Sequence, residues 1–135
     1  MFLVVVVLVL MACSAGVTQG EPLLGAQASR VSPSIAFEAG PSIRVKPVSV
    51  RAGGKVLVYG SAGGCPKGDV VMLLSRAFPH AHEFAGVPAV FAEVLAGARY
   101  NHTVGIPAKR RAGTYSITAR CGGGSFGVQA RLRVR

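Results

Sequence analysis

The feature that most constrains this chain is a pair of alternating runs near its C-terminal end, residues 113–121 and 126–134. In each run every second side chain is apolar, the period of a β-strand with one buried and one solvated face. Residues 122–125 between the runs are Gly-Gly-Gly-Ser, a composition typical of turns. The expected apolar pairs are Cys121 with Phe126, Ala119 with Val128, and Tyr115 with Leu132. A single register satisfies both runs, which predicts a β-hairpin with a four-residue loop.

Further strand patterns precede this hairpin, separated by turns that contain Gly and Pro. The predicted strands are residues 43–46, 48–50, 55–60, 69–75 and 99–106. The apolar phase changes at Pro47, which predicts an edge strand with a β-bulge. Residues 87–94 fit either a strand or a short helical turn. About seven short strands joined in this way predict an all-β fold, a single antiparallel β-sandwich.

Residues 1–12 form an almost entirely apolar run. The run is too short to span a bilayer, which takes about 20 residues, and it has the length of a signal-peptide core. No Lys or Arg precedes it, so the alternative is that translation starts elsewhere. We expect residues 1–12 to be a signal peptide that directs export.

The chain has three cysteines, and an odd number in an exported protein needs an explanation. They are Cys13, Cys65 and Cys121. Residues 10–13, Leu-Met-Ala-Cys, resemble a bacterial lipobox, which predicts a lipid on Cys13 and a membrane anchor. The alternative is ordinary signal cleavage after Ala15 or Gly20, which would remove Cys13. Either outcome leaves the other two cysteines as a pair.

Residues 13–40 show no regular apolar period, which predicts a flexible linker or stalk. Beyond this linker, residues 60–68, 106–108 and 113–121 resemble the loop and strand pattern of secreted bacterial immunoglobulin-like domains. The resemblance covers residues 41–135. It implies an immunoglobulin-like sandwich with a Cys65–Cys121 disulfide, often placed behind a signal peptide or a lipid anchor.

One departure from antibody-type domains concerns the tyrosine corner. Those domains place the corner tyrosine two residues before the second cysteine, whereas Tyr115 lies six residues before Cys121. We therefore do not expect a tyrosine corner of the antibody type in this chain.

The expected topology also separates the disulfide from a cluster of basic residues. Because successive strands reverse direction, the loop at 61–68 and the turn at 122–125 fall at one end of the sandwich, and the cluster falls at the other. This cluster, called the basic pole below, comprises Arg51, Lys55, Lys109, Arg110, Arg111, Arg133 and Arg135. The net charge of +10 favours anionic partners. We expect the basic pole to contact an anionic polymer or protein; the alternative is an ordinary solvated charged end.

Catalytic motifs are not recognisable in the sequence. It contains no Gly-x-Ser-x-Gly elbow, no phosphate-binding loop and no carboxylate pair at a useful spacing. His80 and His82, with Glu83 and His102, are weak candidates for a metal site, and we expect no cofactor. The few aromatic residues give no stacking platform, so we expect no specific nucleic-acid binding.

Together these patterns predict an exported, non-catalytic binding or structural module of the cell envelope. Its membrane contact would be a lipid on Cys13, if that residue is modified. The alternative is a small secreted metal-binding protein or enzyme that uses His80, His82 and His102.

Overall fold

The computed structural model describes residues 40–135, which form nine β-strands and one turn of 3-10 helix, Ala96–Ala98. The strands are β1 (Arg44–Lys46), β2 (Ser49–Val50), β3 (Lys55–Ser61), β4 (Val70–Leu74), β5 (Glu83–Phe84), β6 (Val87–Glu93), β7 (Arg99–Gly105), β8 (Gly113–Cys121) and β9 (Gly124–Val134). The predicted signal peptide, Cys13 and all but the last residue of the predicted linker lie outside the described residues.

The strands form two sheets around one apolar core. The three-stranded sheet has the order β1–β3–β7, and the six-stranded sheet has the order β2–β9–β8–β4–β6–β5. All strand neighbours are antiparallel except β2 and β9, which run parallel. Inward side chains of both sheets, such as Val58 and Ile117, are fully buried in the same cluster. The predicted all-β sandwich is confirmed, and residues 87–93 form a strand.

The predicted C-terminal hairpin is β8–β9, and its register is confirmed from Gly113 to Thr118, with Tyr115 opposite Leu132. Beyond Thr118 the prediction is wrong: Cys121 pairs with Gly124, and the turn contains two residues rather than four. A bulge causes the shift, because residues 126–128 of β9 span the length that residue 119 alone spans on β8.

The expected bulge at Pro47 is also wrong, because the chain changes sheets there. β1, before Pro47, is an edge strand of the three-stranded sheet, and β2, after it, is an edge strand of the six-stranded sheet. Val45 and Val50 therefore enter the shared core from opposite sheets, and both are buried. The change of apolar phase in the sequence marks this crossing.

The disulfide between Cys65 and Cys121 is present, with the two Cα atoms 6.1 Å apart. Cys65 lies in the loop between β3 and β4, and Cys121 ends β8, so the bond ties the loop that connects the two sheets to the six-stranded sheet. Pro41 lines a recess beside both cysteines. The described chain therefore begins at the disulfide end of the domain.

Candidate anion-binding surfaces

Backbone hydrogen bonds bring the segments of the basic pole together at the end opposite the disulfide. The Gly53 N–H donates to the Ile106 carbonyl at 2.9 Å, and the Ile106 N–H donates to the Gly54 carbonyl at 2.8 Å. The Arg135 N–H donates to the Val50 carbonyl at 2.8 Å. The turn at 51–54, the loop after β7 and the end of β9 consequently form one surface.

Six of the seven residues of the basic pole are exposed: Arg51, Lys55, Lys109, Arg111, Arg133 and Arg135. Arg110 differs, because its guanidinium donates to the Phe78 carbonyl at 2.8 Å. Its Nε atom is buried and has no hydrogen-bond partner within residues 40–135. Arg110 thus joins the loop after β4 to the loop after β7, and it presents little charge to solvent.

A tyrosine hydroxyl holds the loop that carries Lys109 and Arg111. Tyr115 at the start of β8 donates its hydroxyl to the Arg111 carbonyl at 2.7 Å. This is a side chain to backbone bond of the tyrosine-corner kind, but with a spacing to Cys121 that differs from that of antibody domains. The bond restricts the backbone of the loop that carries the exposed side chains of Lys109 and Arg111.

Acidic side chains are few and lie away from the exposed cations of the basic pole. Residues 40–135 contain 14 of the 15 Lys and Arg residues but only three Asp and Glu residues. Asp69 and Glu93 lie at the disulfide end, next to the paired ends of β4 and β6. The third acidic residue, Glu83, lies 2.6 Å from the His80 ring, and no Asp or Glu of residues 40–135 lies within ion-pair distance of a Lys or Arg. The exposed pole cations therefore carry uncompensated charge.

The outer face of the three-stranded sheet carries a second set of cations. Outward residues of β1, β3 and β7 pair in four successive rows, each containing one Lys or Arg. The rows are Ser61 with Arg99; Arg44 with Tyr59 and Asn101; Lys46 with Leu57 and Thr103; and Lys55 with Gly105. All four cations are exposed, and Lys55 also belongs to the basic pole. These four cations are called the cation ladder below. The sequence alone did not predict the ladder, because only the register of the three strands aligns its members.

A groove of about 900 Å³ lies over the disulfide-end half of this face. The row of Arg44, Tyr59 and Asn101 lines it together with Leu57, and the segment 95–97 and Arg99 form its other side. No acidic residue lines the groove. Its mixture of apolar surface and positive charge suits an organic anion with an apolar body.

Buried Tyr100 supports the groove from the core side. Its hydroxyl donates to the Ser42 carbonyl at 2.8 Å, and its side chain is 1% exposed. Burial raises the pKa of this hydroxyl above its ordinary value, so the group is neutral and can donate at physiological pH. Gly60 makes the contact possible, because a Cβ there would overlap the Ser42 carbonyl oxygen.

The three histidines do not form one cluster. His80 contacts Glu83, while the His82 ring packs edge-on against Phe91 with 5.3 Å between ring centroids. His102 lies on β7 opposite Val58 of β3. Within the described region, the one group of three metal-ligating side chains is Cys65, Asp69 and Cys121, and its two sulfurs form the disulfide.

The outer face of the six-stranded sheet carries exposed apolar side chains that the sequence did not reveal. Val70, Phe84 and Phe91 are each between 39% and 49% exposed. The Arg120 guanidinium lies 4.9 Å from the centre of the Phe84 ring. Met72 pairs with Phe91 on one side and with Arg120 on the other. This aromatic face differs in character from the two cationic surfaces.

Comparisons with known proteins identify no family. No protein-family model matches the chain, and no curated protein matches it. Solved structures that share a general likeness include the DNA glycosylase AlkC of Pseudomonas fluorescens (17% identity, TM-score 0.45), the native α-2-macroglobulin of Escherichia coli (16%, 0.48) and macromomycin (15%, 0.45). Each match covers 70% of this chain, and 29%, 6% and 96% of the respective structures. With TM-scores below 0.5, these likenesses carry no inference about function.

No helix within residues 40–135 has the length and hydropathy that crossing a bilayer requires.

Proposed function

We propose that this protein is an exported, non-catalytic binding module that contacts an anionic polymer of the cell envelope through its basic pole. The observation that carries the proposal is the set of exposed pole cations that have no acidic partner among the described residues. Clustered uncompensated cations attract polyanions and accelerate their association. The fixed loop at 107–112 presents two of these cations together.

Two features support export and orientation. The Cys65–Cys121 disulfide is a bond that forms and persists in oxidising compartments, which fits the expected signal peptide. The described chain begins beside that disulfide, so the preceding linker would leave the domain at the end opposite the basic pole. With a lipid on Cys13 as anchor, the basic pole would then be free to face outward.

The rival function, a metal-binding protein or enzyme, draws on His80, His82 and His102. The three histidines lie in separate environments, so they do not form a common metal-binding or catalytic site. We therefore place binding ahead of catalysis.

The proposal is tested by reversing charge at the pole and measuring retention on immobilised heparin in a NaCl gradient. The test variant is Lys109→Glu with Arg111→Glu; Arg110 is kept, because it is needed between the two loops. The matched control is Lys67→Glu with Arg131→Glu, which makes the same change in net charge at exposed positions outside the pole. We expect the pole variant to elute at clearly lower salt than the control. Equal elution of both variants would refute a role for the pole.

A second candidate function belongs to the aromatic face of the six-stranded sheet. Its exposed rings, one of them beside a guanidinium, suit a planar aromatic small molecule. Replacing Phe84 and Phe91 with Ala should abolish the fluorescence enhancement of a bound naphthalene sulfonate dye. An undiminished enhancement would remove this candidate.

A further inference from the structure

We propose that the outer face of the three-stranded sheet is a binding track for a linear acidic polysaccharide of the polyuronate type. One sugar ring would stack on Tyr59, and carboxylates along the chain would pair with Arg99, Arg44, Lys46 and Lys55. The inference rests on the proposed function, because it assigns the chemical class of the anionic polymer and adds a second surface that binds it.

The spacing of the cations is the first argument. Successive outward rows of a sheet are two residues apart, about 7 Å along the strands. Four rows with one cation each therefore form a ladder about 20 Å long, from Arg99 at the disulfide end to Lys55 at the basic pole. Such a row of regularly spaced cations suits a linear polymer that carries a series of negative charges, and the flexible Lys and Arg side chains can adjust to its period.

The groove gives the second argument, because it distinguishes a sugar from other polyanions. Tyr59 is half-buried between Arg44 and Asn101, and Leu57 and Leu95 add apolar surface. The C–H face of a pyranose ring can pack on the tyrosine ring while its hydroxyls bond to Asn101. The guanidinium groups of Arg44 and Arg99 can each bind a carboxylate through two parallel hydrogen bonds.

Other polyanions fit this surface less well. A single-stranded nucleic acid uses several aromatic side chains to stack successive bases, and Tyr59 is the one aromatic side chain on the outward rows of this sheet. An inorganic polyphosphate has no ring or apolar face to place against Tyr59, Leu57 and Leu95. The groove therefore favours a saccharide.

The track is built on a rigid base, which lowers the entropic cost of binding. Its floor consists of three hydrogen-bonded strands, supported by the bond from Tyr100 to the Ser42 carbonyl. The segment beside the groove is held by two backbone bonds: Ala62 N–H to the Ala98 carbonyl at 2.6 Å, and Leu95 N–H to the Arg99 carbonyl at 2.7 Å. The site is thus formed before a ligand arrives.

The test uses tetragalacturonate as the probe, with binding measured by calorimetry at two salt concentrations. The oligomer is short enough to bind the track without also covering the loop at 107–112. We expect Arg44→Gln with Arg99→Gln to weaken binding by about tenfold or more and to reduce its salt dependence. Tyr59→Ala should weaken binding with little change in salt dependence, whereas Tyr59→Phe should preserve it. Unchanged melting temperatures would show that these substitutions leave the fold intact.

The control is Lys67→Gln with Arg131→Gln, two exposed positions outside both the track and the basic pole, which should leave tetragalacturonate affinity nearly unchanged. Loss of binding in Lys109→Gln with Arg111→Gln, but not in the track variants, would overturn the track and keep the proposed function. Heparin retention that depends on the pole, without any tetragalacturonate binding, would overturn the saccharide assignment alone. Tighter binding of an oligothymidylate or of tetraphosphate than of tetragalacturonate would also overturn that assignment. A protein that binds neither heparin nor tetragalacturonate would refute both proposals.

Discussion

At the scale of single residues, neighbouring cationic side chains in this chain have different roles. Lys109, Arg110 and Arg111 are consecutive and look equivalent in the sequence. In the structure the middle residue binds the Phe78 carbonyl, while its two neighbours are exposed. The sequence could predict that these cations gather at one end, because successive strands reverse direction. It could not predict the contact of Arg110, which depends on how two distant loops approach each other.

Tyr100 gives a prediction at this scale, in which stability depends on pH. Tyr100→Phe removes the hydrogen bond to the Ser42 carbonyl and should cost about 1 kcal/mol of unfolding free energy at pH 7. Burial raises the pKa of this hydroxyl in the folded state, so the wild-type protein loses stability as pH rises above the unfolded pKa near 10. The loss grows as the pH rises further, and the variant does not share it.

Urea unfolding of both proteins at pH 7 and pH 11 measures this difference. We expect the wild type to be the more stable protein at pH 7 and the gap to close at pH 11. A gap that is the same at both pH values would show that the hydroxyl of Tyr100 is not buried as described.

At the scale of elements, the β8–β9 hairpin shows what alternation can and cannot predict. Its register follows from the pattern up to Thr118, because a shift by one residue would turn the apolar side chains to solvent. The bulge beyond that point places the Phe126 ring 6.3 Å from the ring of Tyr100 on the opposite sheet. A contact between sheets decides this local detail, so the local sequence does not contain it. The sequence did not predict the cation ladder for a similar reason, because the ladder depends on the register of three strands.

Two glycines of this hairpin test the bulge. Gly127 has φ of 69°, a left-handed conformation that costs other residues about 1 kcal/mol or more. Gly123 in the turn does not have a positive φ, and a Cβ at either position would meet no atom within 4 Å. Gly127→Ala should therefore lower the melting temperature by several degrees, while Gly123→Ala should leave it nearly unchanged. Equal melting temperatures for the two variants would argue against the bulge.

At the scale of the whole molecule, the disulfide and the cations divide the domain between two ends. The Cys65–Cys121 bond ties the loop between the two sheets to β8 at one end, where Asp69 and Glu93 also lie. The basic pole occupies the other end, and the cation ladder connects the groove to it along one face. This arrangement separates the disulfide, which stabilises the domain, from the surfaces that we expect to bind.

Removal of the disulfide should destabilise the whole domain. The bond closes a loop with a sequence separation of 56 residues. For a loop of that length, a chain-entropy estimate gives about 4 kcal/mol of stabilisation. We expect the variant Cys65→Ser with Cys121→Ser to melt at least about 15 °C below the wild type in calorimetry. A melting temperature within a few degrees of the wild type would show that the core alone suffices.

Binding of a polyanion through the cationic surfaces is the central claim, and amide chemical-shift mapping tests it most directly. An isotope-labelled protein would be titrated with tetragalacturonate and, separately, with a long heparin chain. We predict shifts in β1, β3 and β7 with the oligomer, and additional shifts at residues 51–54 and 107–112 with the polymer. Shifts confined to the aromatic face of the six-stranded sheet, or no shifts with either ligand, would contradict the claim.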